Sequence, residues 1–407
     1  MEELMYYVWQ QRLFSAIVTL DETPIEIIHP GLRNLDAGPD FFNAKIKIDN
    51  MMWAGNVEMH IKASDWYRHH HDSDPAYNNV ILHVVLQADA VIRYPSGDPI
   101  KTVVMRIPQQ IIEQYHALTD APAPYYCAIR CFNHLPAVPS LIIQDWLTAL
   151  ATQRMLAKAR RMLNLTEADN ESWQEALYVI LSRSLGTGIN SDTFERLARS
   201  LPFSYLLKHI DDPLQVRALL LGQASLIPQN EVRMQQEYDF LRAKFQLKPL
   251  AASDWKMARR RPQAAPDRRI EALATLLTNH RNLFSEILEA PDIATLQHIF
   301  ILPYCTGIQT ANSIIINAVI PILLAYGQWN SDADLCDKAL RMLESIPAEN
   351  NRYIDFWTRA GIPSRNAFDT QALLHLYREY CEPHKCLNCR IGCWVIKNRY
   401  TDAQPVQ

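Results

Sequence analysis

The sequence predicts an α+β chain: an N-terminal α/β module built on a mixed sheet, a mostly α-helical domain after it, and a cysteine knuckle near the C-terminal end. Three observations carry this expectation. Between Pro24 and Ile107, short runs alternate apolar and polar residues with the two-residue period of strands. From Leu141 to about Ser345 the apolar residues recur at helical spacing, punctuated by prolines. Four of the eight cysteines crowd between Cys381 and Cys393.

Each element follows from local pattern. Residues Glu2 to Phe14 set Leu4, Val8 and Leu13 near helical spacing, which predicts a first helix. Pro24 to His29 is a short extended run broken by Pro30-Gly31, and Asn34 to Asp40 is a loop rich in turn formers. Ala44-Lys45-Ile46-Lys47-Ile48 alternates cleanly, Asp49-Asn50 supplies a turn, and Trp53 to Lys62 returns as the second arm of a hairpin. Asp65 to Asn78 is polar and His-rich, a helical turn or loop. Val80 to Gln87 is apolar enough for a central strand, and Ala90 to Tyr94 with Thr102 to Ile107 add an outer pair around Pro95-Ser96-Gly97. Prolines 122, 124, 136 and 139 mark a linker. The expected division is therefore 1–116 for the α/β module, 117–140 for the linker, 141–350 for the helical domain and 351–407 for a C-terminal helix and the cysteines. Within the helical domain the clearest segments are Trp146 to Leu163, Ser172 to Leu185, Asp192 to Ser200, Gln215 to Ala224 and Arg268 to Leu277.

Composition limits the function classes. A chain of 407 residues with 48% hydrophobic and 21% charged residues is an ordinary globular protein and not a disordered one. Its net charge of −4 offers no general attraction to nucleic acid or anionic lipid, so such binding has to come from local patches. The opening Met-Glu-Glu-Leu-Met-Tyr-Tyr lacks the basic region and apolar core of a secretory signal. The longest apolar run, Ser313 to Tyr326, is interrupted by Asn317 and Pro321. It falls short of the roughly 20 residues of a membrane span and reads as a buried core helix. No membrane partner is expected, and the cytoplasm is the expected compartment. There, clustered cysteines point to metal rather than disulfides.

The chemistry gathers between Gly38 and His83. Alternation puts Asn56, Glu58, His60 and Lys62 on one face of their strand and Val57, Met59 and Ile61 on the other. The apolar face anchors the strand; packing alone does not ask for the carboxylate, imidazole and ammonium opposite. Asp40 with Glu58 is a pair suited to a hard divalent cation, magnesium or manganese, with His60 or Lys62 beside the attacking water. The run His69-His70-His71-Asp72-Ser73-Asp74, with His83 on the next strand, offers a second donor set for a transition ion through His71, Asp74 and His83. Three consecutive histidines cannot all face one ion, so at least two are expected at the surface. At the far end Cys381, Cys386, Cys389 and Cys393 are spaced to surround zinc or an iron–sulfur cluster, with His384 as a substitute ligand. Arg259, Arg260, Arg261, Arg268 and Arg269 are candidates for phosphate contact with DNA or RNA, and equally read as a solvated helix end. Gly186-Thr187-Gly188 imitates a phosphate loop but follows a helical pattern, so it reads as a helix cap.

Two resemblances rest on these residues. Pro39-Asp40 followed by Glu58-Met59-His60, in a helix–strand–strand–strand–helix–strand order, resembles the PD-(D/E)XK nuclease superfamily. That resemblance implies a restriction-endonuclease-like sheet, catalytic Asp40 and Glu58, and an accessory acid at Glu3. The chain departs from the pattern in carrying His60 where that superfamily has lysine, which leaves His60 and Lys62 both open for the role. Some RecB-like members hold an iron–sulfur cluster on C-terminal cysteines with one upstream ligand, here Cys127 or Cys131. Taken whole, the chain also resembles an uncharacterised bacterial family of unknown function, through Ala37-Gly38-Pro39-Asp40-Phe41, Gly55 to His60, Ser64-Asp65-Trp66, Asp74 to Val85, Arg259 to Pro262 and Cys386 to Gly392. The readings that follow are a metal-dependent nuclease or a degenerate relative, a non-catalytic nucleic-acid or protein interaction module, and a His/Asp transition-metal hydrolase acting on another substrate.

Overall fold

A computed structural model describes residues 1–19, 23–49, 51–120, 129–167, 172–186, 188–257, 265–302 and 306–401. The chain is α+β and divides into two units: Met1–Trp146 together with Tyr377–Gln407, and Leu147–Leu376.

The first unit opens with α1 (Glu2–Gln11), followed by β1 (Ala16–Thr19), β2 (Ile25–His29), β3 (Leu32–Arg33), β4 (Phe41–Ile48) and β5 (Met51–Lys62). A short crossover through α2 (Asp65–Arg68) leads to β6 (Val80–Gln87), then β7 (Thr102–Arg106) and α3 (Gln109–Thr119). Hydrogen bonding arranges one mixed sheet in the order β1-β7-β6-β5-β4-β2, with β3 also paired to β4. The expected hairpin is β4 against β5, antiparallel, while β5–β6 and β6–β7 are parallel. The parallel centre explains why Val80–Gln87 is nearly all apolar: both of its faces are covered. Close approach of β5 to β6 depends on Gly55, where a Cβ would lie 2.4 Å from Ile81 Cγ2 and 2.8 Å from the Asn79 carbonyl oxygen. Beside it the Asn56 N–H donates to that same carbonyl at 2.9 Å, and the β5–β6 register shifts between Asn56 and Val57.

Val57 and Met59 turn inward, as the alternation predicts, and join Leu4, Val8 and Trp9 of α1, Leu82 and Val84 of β6, and Ile111 and Leu118 of α3 in one core. The Trp9 indole N–H is satisfied by the Pro30 carbonyl at 2.9 Å. Ile61 breaks the pattern at the strand end, where it is exposed.

The division of the chain differs from the expected one. Ile396, fully buried, belongs to the same core as Leu4 and Ile111, and the Tyr7 hydroxyl donates to the Cys393 carbonyl at 3.1 Å. The C-terminal helix Arg390–Thr401 carries Ile391, Val395 and Ile396 as an apolar stripe that needs a core to cover it, and α1 and α3 supply that core. The boundary falls inside α4 (Ser140–Glu167), one long helix, and not at 117–140. Two local expectations also change. Ala90–Tyr94 is not a strand but holds only an isolated bridge between Arg93 and Pro99, and β1 forms where no strand was expected.

The second unit is helical and packs around the apolar run. Residues Ile308–Trp329 form the one helical stretch among the described residues long and apolar enough to cross a membrane, and 67% of its most apolar window is buried inside the protein. A π-helical turn at Ile315–Val319 precedes Pro321, the kind of ladder adjustment a proline requires. Gly186 ends the helix Trp173–Leu185, and Asn190 precedes Ser191–Ser200, so that glycine stretch caps helices as expected.

Candidate metal centre

The polar face of β5 meets α2 and the turn after it. Glu58 and His60 are both buried, at 5% and 2% exposure. Parallel pairing sets Glu58 opposite His83 of β6, which is fully buried. The turn after α2 places His70 at φ 61, a left-handed conformation that redirects the chain and brings the flanking His69 and His71 back towards His60. One potential ligand atom from each of His60, His69 and His71 lies within 4.8 Å of the others. His60 Nε2 is 3.2 Å from His69 Nδ1, and Glu58 Oε1 lies 3.5 Å from His60 Nε2 and 3.3 Å from His71 Nε2. A tetrahedral ion bound at 2.0–2.1 Å would hold its nitrogens about 3.3 Å apart, so this donor set fits a transition ion.

Second neighbours fix the ligands. His60 Nδ1 is 2.8 Å from His83 Nε2, the Tyr77 ring stacks on His71 at 3.8 Å, and Trp66 meets His71 and His83 edge-on. His83 Nδ1 is buried without a partner. A bare ring nitrogen is cheaper there than a bare N–H, which assigns the His83 proton to Nε2 as donor to His60 Nδ1. Burial lowers the His60 pKa to about 3, helped by His71 and His69, and lowers that of His83 to about 3 as well. Both rings are therefore neutral near pH 7, the form a metal ligand requires. Burial also raises Glu58 to about 7, against a hydrogen bond from His71 and with the Asp40 charge adding to the rise.

Asp40 stands beside this cluster with its carboxylate already engaged. Arg33 Nη1 donates to Oδ1 at 3.0 Å and the Met59 N–H to Oδ2 at 3.0 Å. The Asp40 N–H in turn donates to Glu58 Oε2 at 3.0 Å. Arg33 also lies 3.7 Å over the Tyr6 ring. Burial pushes the Asp40 carboxyl up, and Arg33, Met59 and Tyr6 pull it back. Asp40 thus neighbours Glu58 as expected, but as the counter-charge of an arginine that the sequence did not single out.

Other expected members lie elsewhere. The Lys62 side chain is exposed, and its backbone N–H donates to Asp65 Oδ2. Asp74 caps the turn Pro75–Tyr77 by accepting from the Ala76 N–H, and it is not among the three residues whose ligand atoms converge. Glu3 is exposed and its charge acts on Tyr115, not on Asp40. His69 and His70 are exposed, as expected of two of the three, yet His69 still reaches the cluster. Arg268 is exposed and Arg269 buried, both in the helical unit; Arg259, Arg260 and Arg261 lie outside the described residues.

The cysteines make a separate group. Cys131, Cys381, Cys386 and Cys389 line one small cavity with Leu118, Arg130 and Gly392. Gly392 is required there, because a Cβ would fall 2.2 Å from the Cys386 carbonyl oxygen. Cys393, expected as fourth ligand, instead donates its S–H to the Leu387 carbonyl at 2.9 Å. His384 is exposed beside Arg130, and Cys127 lies outside the described residues. Burial raises the Cys386 thiol to about 11 and the Cys389 thiol in the same direction. Among the described residues no three of these sulfurs come within 4.8 Å of one another.

The model of a family described as a protein of unknown function, DUF2851, matches residues 2–352. No curated protein and no solved structure matches the chain.

Proposed function

We infer the function of this chain, which belongs to the DUF2851 family of proteins of unknown function, from its own site: a metal-dependent hydrolase of phosphodiesters, with a divalent transition ion among His60, His69 and His71. The observation that carries this reading is the approach of three imidazole ligand atoms within 4.8 Å, with Glu58 Oε1 against two of them. The order of Asp40 at the entrance of β4, Glu58 and His60 on β5, and a crossover to a parallel strand supports phosphodiester chemistry, because these are the residues by which the sequence resembles the PD-(D/E)XK nucleases. A bound ion supplies Lewis-acid polarisation of the phosphoryl group and of water. Glu58, raised to about 7 in the metal-free protein, would take the proton from a water held at that ion. Asp40 is a positioning residue: its N–H holds Glu58 Oε2 while Arg33 balances its charge. For His60 Nε2 to act as a ligand, His60 would carry its proton on Nδ1 and donate it to His83 Nε2, and His83 would carry its own proton on Nδ1, the costlier tautomer in the metal-free protein.

The test is metal analysis of the full chain, followed by manganese-, zinc- and magnesium-dependent cleavage of single- and double-stranded DNA and RNA. Under this reading His69→Ala and His71→Ala lose transition-metal uptake and cleavage, and Glu58→Gln keeps the metal but loses cleavage. Magnesium-dependent cleavage that survives His69→Ala but not Asp40→Asn returns the site to the two-carboxylate arrangement. Nucleic-acid binding without cleavage under every ion identifies an interaction module.

We also propose a thiolate-held cofactor at Cys131, Cys381, Cys386 and Cys389, supported by their sharing one cavity. Tetrahedral zinc with bonds near 2.3 Å sets sulfurs about 3.8 Å apart. An iron–sulfur cluster is also held by thiolates and is the alternative to zinc at this cavity. Iron and acid-labile sulfide in protein purified without oxygen, lost in Cys389→Ser, supports it; zinc without sulfide reassigns the site.

A further inference from the structure

Among the described residues the helical unit contains a buried cation whose Nε and Nη1 have no hydrogen-bond partner. Arg269, on the helix Pro266–Asn279, is 8% exposed, and its Nε and Nη1 atoms are buried without a hydrogen bond. A guanidinium does not escape burial by losing its proton, so its charge stays. Glu271 of the same helix is engaged with Arg217 at 2.7 and 2.8 Å, no ion pair to Arg269 forms among the described residues, and desolvation lowers the Arg269 pKa. Burying an unpaired charge is costly, and protein interiors tolerate it where a ligand completes the pair.

Arg269 lines a cavity of about 120 Å³ with Ser184, Gln309, Thr310, Ser313 and Ile314; its Nε and Nη1 are turned away from solvent, which leaves Nη2 as the atom that can meet a ligand there. At roughly 30 Å³ per water molecule it has room for about four waters, or one small oxyanion with little water left. Its wall carries hydroxyl and amide groups from the helices Trp173–Leu185 and Ile308–Ile314 and not one carboxylate. Gln309 is exposed and marks the mouth; Ile314 is buried and closes the floor. Ser184 already gives its O–H to the Leu181 carbonyl at 2.7 Å, so Thr310, Ser313 and Gln309 are the neutral donors.

We propose that this cavity binds a phosphate-type oxyanion, with Arg269 as its charged donor and Thr310, Ser313 and Gln309 completing the shell. A planar carboxylate has two oxygens in one plane, whereas donors arriving from separate helices suit a tetrahedral group with oxygens in several directions.

The test uses the full chain in phosphate-free buffer, with thermal unfolding and calorimetric titration. Inorganic phosphate is expected to raise the melting temperature saturably, and acetate at the same ionic strength is not. Arg269→Met, which replaces the charge by an apolar side chain of similar length, is expected to match or exceed the wild type without phosphate. With phosphate it should bind at least about tenfold more weakly. Thr310→Val, which keeps the charge, should weaken phosphate binding while the protein stays folded. A nucleoside 5′-monophosphate that binds more tightly than inorganic phosphate names an esterified phosphate as the source; equal or weaker binding names the free ion. The proposal is overturned if phosphate stabilises Arg269→Met as much as the wild type, if acetate stabilises as well as phosphate, or if Arg269→Met is severely destabilised with no phosphate effect on the wild type.

Discussion

Arg33 and Asp40 form a part-buried pair whose loss reaches Glu58 through one backbone N–H. Arg33→Ala leaves the Asp40 carboxylate against Met59 and Tyr6 without its counter-charge. It is expected to cost about 1.5–3 kcal/mol in urea unfolding, discounted from the fully buried case because both side chains keep some solvent contact. Arg33→Ala with Asp40→Asn should cost less than the two single changes together. His83→Leu removes the group that orients His60, so metal affinity measured by chelator competition should fall about 10–100-fold. Much of this site was legible at the residue scale: period-two alternation put Glu58 and His60 on one face, and β6 delivered His83 beside them. His69 was not, because three adjacent histidines say nothing of the left-handed turn at His70 that brings two of them back. Arg33 was not either, since it acts across a bend and a two-residue strand with no periodicity of its own.

Among the elements, the β5–β6 contact is the most exacting. Gly55→Ala drives a methyl group into Ile81 and the Asn79 carbonyl, and neither can yield without opening the central parallel pair. A loss of about 1–3 kcal/mol is expected in chemical denaturation, with weaker metal uptake because Glu58 and His60 ride on the same strand. The hairpin and the apolar β6 were readable because their patterns are local. The missing strand at Ala90–Tyr94 shows the limit of such patterns: alternation there lacks a neighbour to pair with, and only one bridge forms.

For the whole molecule, acid stability of the metal-free protein follows from three groups with opposite signs. His60 and His83 are depressed from 6.5 to about 3, so the stability they give is lost as pH falls through that range. Glu58 is raised from 4.5 to about 7, so its burial destabilises at neutral pH and that penalty is relieved between about 7 and 4.5. Between about 6.5 and 4.5 the Glu58 gain offsets only one of the two histidines, so stability already declines, and the loss steepens between about 4.5 and 3. Unfolding free energies in chelator at pH 7, 5 and 3.5 should show it, and His83→Leu should flatten the lower arm. The unit boundaries were illegible in the sequence because a chain that leaves a core and returns to it leaves no mark in local pattern. A chain ended at Leu376 lacks Ile391, Val395 and Ile396, and its first unit should bind a hydrophobic dye and resist proteolysis poorly, while the full chain does neither.

That return has a consequence for synthesis. The core under α1 is closed by residues translated after the whole of Leu147–Leu376. At about 5–20 residues per second the ribosome takes tens of seconds to make the intervening segment. During that interval Leu4, Val8 and Trp9 lack their last covering helix, so the nascent first unit keeps apolar surface exposed until Ile396 has emerged. A stalled or prematurely terminated chain would therefore carry the histidine strand but not the finished core around it.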